Sequence, residues 1–138
     1  MKIVPLLCLG FLASLVMVTP VKAEGVKATV SKERPQARPA VQQTFELLMG
    51  CIENNNYSGF QIAIDDDFKV ALTEEIFKSV VEQMAARQKQ GYQSLYLEEM
   101  KQQGYQVHLW KLSFKDGADD VLVKLSIKDE KVGGLFLQ

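Results

Sequence analysis

Three apolar runs of strand length close the chain, Tyr105–Phe114, Val121–Ile127 and Val132–Leu137, and they leave few folds open. Each is rich in aromatic or β-branched residues, the composition of a pleated, half-buried surface. Lys115–Asp120 joins the first two, with aspartates and Gly117, residues that suit turns. Lys128-Asp129-Glu130-Lys131, wholly charged, joins the second pair. Connections this short join antiparallel neighbours.

The two loops suggest a register. Place Phe114 opposite Val121 and Ile127 opposite Val132. His108, Trp110, Leu112 and Phe114 then share a face with Val121, Val123, Leu125, Ile127, Val132, Gly134 and Phe136. Period-2 alternation turns this apolar set to one side, where it needs a cover. The other face is mixed: Leu109, Lys111, Ser113, Leu122, Lys124, Ser126, Leu135 and Leu137. Lys111 falls directly across from Lys124 there, so that face is wet or met by carboxylates.

The cover lies upstream. Val41, Phe45, Leu48 and Ile52 recur at helical spacing in a segment that begins near Pro39 and ends at Asn54-Asn55-Asn56. A shorter helix opens at Tyr57, with Phe60, Ala63 and Ile64 inward, and Phe68–Leu72 adds a turn or two. Thr73 caps the clearest helix, Glu74 and Glu75 suit its dipole, and Gly91 stops it. Its expected buried stripe is Ile76, Phe77, Val80, Val81 and Met84. Tyr92–Lys101 alternates as a first strand, and Gln102-Gln103-Gly104 turns into Tyr105. Helices followed by a four-stranded antiparallel sheet define an α+β domain, helices on one face.

The N-terminus has the parts of a secretory signal. Lys2 precedes an apolar run from Ile3 to Val18, and Val21 and Ala23 stand at −3 and −1 of a cut after Ala23. The run is shorter than the ~20 residues of a spanning helix. Residues 1–23 are read as a cleaved signal, 24–39 as a polar linker and 40–138 as one domain, placing the product in the periplasm or outside the cell. Loss of Lys2 and Lys22 takes 16 basic residues to 14 against 17 acidic ones, a net charge of −3. That balance, without a basic stripe, argues against nucleic acid and anionic membranes as partners. Cys8 leaves with the signal, so Cys51 has no partner for an internal disulfide. It reads as a small apolar residue on its helix.

Four motifs, in order, resemble the nuclear transport factor 2-like superfamily, the α+β cone shared with ketosteroid isomerase. They are Phe45-Glu46-Leu47-Leu48 before an Asn-rich break and Tyr57, Phe68–Thr73, Ser113–Gly117, and Lys131–Phe136. The wording is most similar to the small secreted bacterial domain of unknown function 3887. The resemblance implies a curved sheet wrapped around helices with a cavity at its open end. It carries over no catalytic residue, because the isomerase branch's aspartate base and tyrosine-acid oxyanion hole have no matching set here.

Candidates for chemistry are few. His108, the only histidine, sits at the end of the apolar face and suits general acid/base work or ligand orientation. Trp110 and Tyr96 are candidate ligand contacts beside it, with Tyr92 and Tyr105 as further aromatics. Glu98 or Glu99 could supply a carboxylate. Asp65-Asp66-Asp67 reads as a helix junction rather than a metal site, since adjacent residues diverge and no calcium loop follows. Zinc needs three or four ligands, and His108 and Cys51 are the only strong ones. No cofactor is indicated. Two readings stand. One is a non-catalytic binding module whose partner is a second copy, an envelope protein or a small apolar ligand, met through Leu109, Lys111, Leu135 and Leu137. The other is an isomerase- or lyase-like enzyme with His108 as acid/base.

Overall fold

Apolar spacing becomes helix where the sequence places it. The computed structural model describes residues 33–138. The expected signal, with Cys8, and the linker as far as residue 32 lie outside the described residues. Helix α1 spans Pro39–Glu53 and buries Val41, Phe45, Leu48 and Ile52, together with Met49 and Cys51. Burial raises the pKa of the Cys51 thiol, which disfavours the reactive thiolate. Helix α2, Tyr57–Ala63, starts where the Asn56 side chain accepts from Gly59 N–H. Helix α3, Asp66–Ala71, is capped by Asp65, whose Oδ1 accepts from Phe68 N–H at 2.8 Å. The first of the three aspartates is therefore a cap. The second, Asp66, pairs with Lys69 Nζ at 3.1 Å.

Helix α4 spans Glu74–Gln90, with the Thr73 hydroxyl accepting from Ile76 N–H at 3.3 Å. Phe77 and Met84 are buried as the spacing predicts. Ile76 is not: it is 50% exposed in the first turn. Ala85 and Gln88 carry the buried stripe onward instead. Gln88 Nε2 donates to Met49 O at 3.0 Å, which ties α4 to α1. Gly91 ends the helix at φ 103°, a left-handed conformation that favours glycine.

The sheet is an antiparallel meander in the order β1-β2-β3-β4. Its strands are β1 (Tyr92–Gln102), β2 (Tyr105–Phe114), β3 (Val121–Lys128) and β4 (Lys131–Leu137). β1 and β4 remain unjoined, so the sheet is open and no barrel closes. Two hairpins are tight, with Gln103-Gly104 and Asp129-Glu130 at positive φ as two-residue turns of this kind require.

The register departs from expectation in two places. Leu112, not Phe114, stands opposite Val121. A shift of two keeps every side chain on its expected face, but it places Lys111 across from Leu122 and Lys124 across from Leu109. The Lys111–Lys124 opposition is thus relieved, and Lys111 Nζ instead meets Asp120 Oδ2 at 3.0 Å. The second departure is a bulge. Ile127 faces Val132 as expected, but Ser126 faces Gly134, leaving Gly133 as the extra residue. From there the faces of β4 exchange. Leu135 and Leu137 turn inward and pack against the core, while Phe136 points out, 55% exposed. Tyr105 and Asp65 crowd Gly133, where an added Cβ would lie 2.3 Å from the Tyr105 ring.

The core sits between the inner sheet face and the helices. Trp110 and Phe45 stack with centroids 4.2 Å apart and planes 8° from parallel. Such a pair contributes about 0.5–1.5 kcal/mol beyond its area burial. Trp110 Nε1 donates to Gln42 Oε1 at 3.3 Å, so the buried indole keeps a partner. Arg87 fastens the end of α4 to the β2–β3 loop. Its Nε donates to Asp116 Oδ2 at 2.6 Å, its Nη2 to Asp119 O at 2.9 Å, and its guanidinium lies 4.0 Å from the Phe114 centroid. The hydrogen bond from Arg87 holds the Asp116 carboxyl below its ordinary pKa.

Candidate functional site

Two places on the domain have the make-up of a site. The larger is an apolar groove. Helix α4 packs chiefly on α1 and meets the sheet mainly at β2. Helix α3 meets β4 instead. A groove of about 520 Å³ is left between them. Phe60, Phe77, Val80 and Met84 line it from the helices, and Leu135 and Leu137 from β4. Its size is that of ordinary small-molecule sites, about 300–1,000 Å³. The Gly133 bulge makes this lining, since without it Leu135 and Leu137 would point to the opposite face. Gln83, Arg87 and Gln138 supply the polar side chains, and Arg87 is already engaged by Asp116 and Asp119.

The second place is a polar cluster at a bulge in β1. Tyr96 faces Trp110 and Glu98 faces Leu109, so Leu97 is the extra residue. The bulge puts Glu99 opposite His108, on the inner face. Tyr96 Oη and His108 Nδ1 lie 3.0 Å apart, and Glu99 Oε2 is 3.6 Å from the same nitrogen. Arg38 reaches Glu99 at 3.8 Å and donates to Gln106 Oε1. His108 has no exposed surface, and its Nε2 is buried without a partner among the described residues. Burial lowers its pKa, the Glu99 charge opposing that in part, so the imidazole is neutral at pH 7. Burial likewise raises the pKa of the Tyr96 phenol.

The residues singled out in the sequence divide between these places and the core. Tyr96, Glu99 and His108 come together. Trp110 is adjacent, its ring centroid 5.1 Å from that of Tyr96, but it is fully enclosed and stacked on Phe45. Glu98 takes the outer face and is exposed. Tyr92 is half-buried against Phe114, and Tyr105 lies by Gly133. Of the four residues expected to share a contact surface, Leu109 and Lys111 are on the outer face, whereas the bulge takes Leu135 and Leu137 to the inner one. Among the described residues no three His, Cys, Asp or Glu side chains converge as a metal site requires.

The sequence reading missed Arg38, placed in the linker, and the groove itself. The pair Gly133-Gly134 was the signal for the groove, because glycine inside a strand marks a bulge or a close approach. No family model and no curated protein sequence matches the chain. Its class is that of α+β domains with N-terminal helices on a four-stranded antiparallel meander.

Proposed function

We infer that this chain is a non-catalytic binding domain, exported by its N-terminal segment, and that the groove between α4 and β4 takes an apolar guest. The observation that supports this best is the groove of about 520 Å³ with leucine, valine, methionine and phenylalanine on its walls. Burying alkyl surface there would contribute about 25 cal/mol per Å². The motif order that resembles the nuclear transport factor 2-like superfamily agrees with a ligand-holding cone, though that fold hosts many functions.

A fluorescence titration with a neutral solvatochromic dye, displaced by decanol, tests the reading. Binding should saturate, and Val80→Glu should weaken it at least ~10-fold by putting a charge on a half-buried wall. Dye that never saturates, or binds Val80→Glu equally well, removes the proposal. Native mass spectrometry of protein purified from its own host would identify a retained guest.

A second reading rests on the convergence of Tyr96, Glu99 and His108. An isomerase- or lyase-like site there would use His108 as acid/base with Tyr96 as donor. Access to His108 would need the β1 bulge to open. NMR titration of the imidazole distinguishes the states: a pKa at the ordinary value of ~6.5 would indicate a solvent-reached ring, and a lowered one a closed ring.

A further inference from the structure

The backbone of β4 presents a second feature, independent of what fills the groove. Leu122 N–H donates to Gln138 O at 2.7 Å and Gln138 N–H to Leu122 O at 3.0 Å. Residues 122 and 138 are therefore a hydrogen-bonded pair, and antiparallel alternation makes Lys124/Phe136 and Ser126/Gly134 the next two. The N–H and C=O groups of Leu135 and Leu137 consequently point away from β3, to the open edge. Only the start of that edge is covered among the described residues. Ile64 bridges Val132, with Asp65 N–H donating to Val132 O at 2.8 Å, before the chain turns away into α3.

We propose that this edge pairs with β4 of a second copy of the chain, about a twofold axis at Phe136. The positions fit that symmetry. Leu135 of one copy stands opposite Leu137 of the other, and the reverse, so the open donors and acceptors of both meet in four backbone hydrogen bonds. Phe136 lies in the closer, non-bonded pair between them, where its ring faces its symmetry mate on the outer surface. The leucines of both copies adjoin on the inner face and run the two grooves together.

Charge selects the same partner. Val132 to Gln138 contains no charged residue and no proline, the usual devices that keep an edge strand unpaired. Lys124 places its ammonium 5.9 Å from the Phe136 ring. In the dimer the two Lys124 residues are three strand spacings apart, about 14 Å, beyond the Debye length of about 8 Å. The β1 edge carries the devices that discourage such pairing, with Glu98, Glu99 and Lys101 along it and the Leu97 bulge within it. Exposed apolar residues also favour the β4 side: Phe136, Ile62, Val70 and Ile76 are each at least half exposed, and all lie on elements that border the groove.

Sedimentation equilibrium from about 10 to about 500 µM spans the weak range proper to a small edge contact. The expected result is a monomer–dimer equilibrium that Phe136→Lys weakens at least ~10-fold. Leu137→Pro, which removes one open N–H without touching the β3 ladder, should act in the same direction. Leu95→Glu, on the outer face far from this edge, should leave the dimer unchanged. Hydrogen exchange should show Leu135 and Leu137 amides slowing as concentration rises. A wild type that stays monomeric, a dimer indifferent to Phe136→Lys, one broken by Leu95→Glu, or one without that protection would each overturn the proposal. Dye binding lost while the dimer persists would instead count against the groove reading alone.

Discussion

The two edges of one sheet are built to opposite rules. β1 carries Glu98, Glu99 and Lys101, and its Leu97 bulge draws Glu99 in toward His108 and Tyr96. β4 from Val132 onward carries no charge, and its Gly133 bulge turns leucines into a groove. Both use one extra residue to exchange the faces of a strand. The outcome depends on which side chains follow it: carboxylate in one case, leucine in the other. A bulge is a device for aiming side chains, and the sequence after it decides whether the result is polar or apolar.

The difference between the two edges depends most on Gly133. Gly133→Val would force the Tyr105 ring and Asp65 aside, and should destabilise by about 2 kcal/mol in urea unfolding. Tyr105→Ala in that background should recover part of the loss. If Gly133→Val costs nothing, the bulge is not held by close approach. On the opposite edge, Tyr96→Phe leaves His108 Nδ1 without its partner and should cost about 1 kcal/mol. A neutral result would mean that the Tyr96–His108 contact contributes no stability.

The next effect is confined by pH. The folded pKa of His108 is lowered by burial, so the unfolded chain binds the proton more readily. Its stabilising share is whole above the unfolded value of about 6.5 and is lost as pH falls through the folded value. Wild type should therefore lose stability below pH ~6.5 more steeply than His108→Gln. Parallel profiles would show that the ring is not buried neutral. The smallest effect belongs to the charges on β1. Glu98→Val with Lys101→Val should move stability by no more than about 0.5 kcal/mol, yet raise self-association seen by light scattering. No change in scattering would mean that these charges do not guard that edge.

What the sequence made legible was local. The stripe Val41–Phe45–Leu48–Ile52, the Thr73 cap and the three closing strands follow from spacing and turn residues a few positions apart. The inward set on β2 and β3 survived a two-residue error in register, because an even shift preserves the side-chain faces. Phe136 did not survive, since one extra residue at Gly133 inverts all that follows. His108, Tyr96 and Glu99 could be nominated singly, but their meeting depends on the Leu97 bulge, which alternation alone does not reveal. The groove was illegible for a different reason. It arises where α4 leans on α1 rather than on β4, and that is settled by packing across the whole domain.

Arg87 carries one more implication. Its guanidinium is paired inside the chain with the Asp116 carboxylate and also donates to the Asp119 carbonyl. A molecule arriving at the rim therefore meets no uncommitted cation from Arg87. On the reading proposed above, alcohols and esters should outcompete carboxylates of equal chain length for the groove, so that its selectivity is set by the charge of the guest's polar end as well as by its apolar surface.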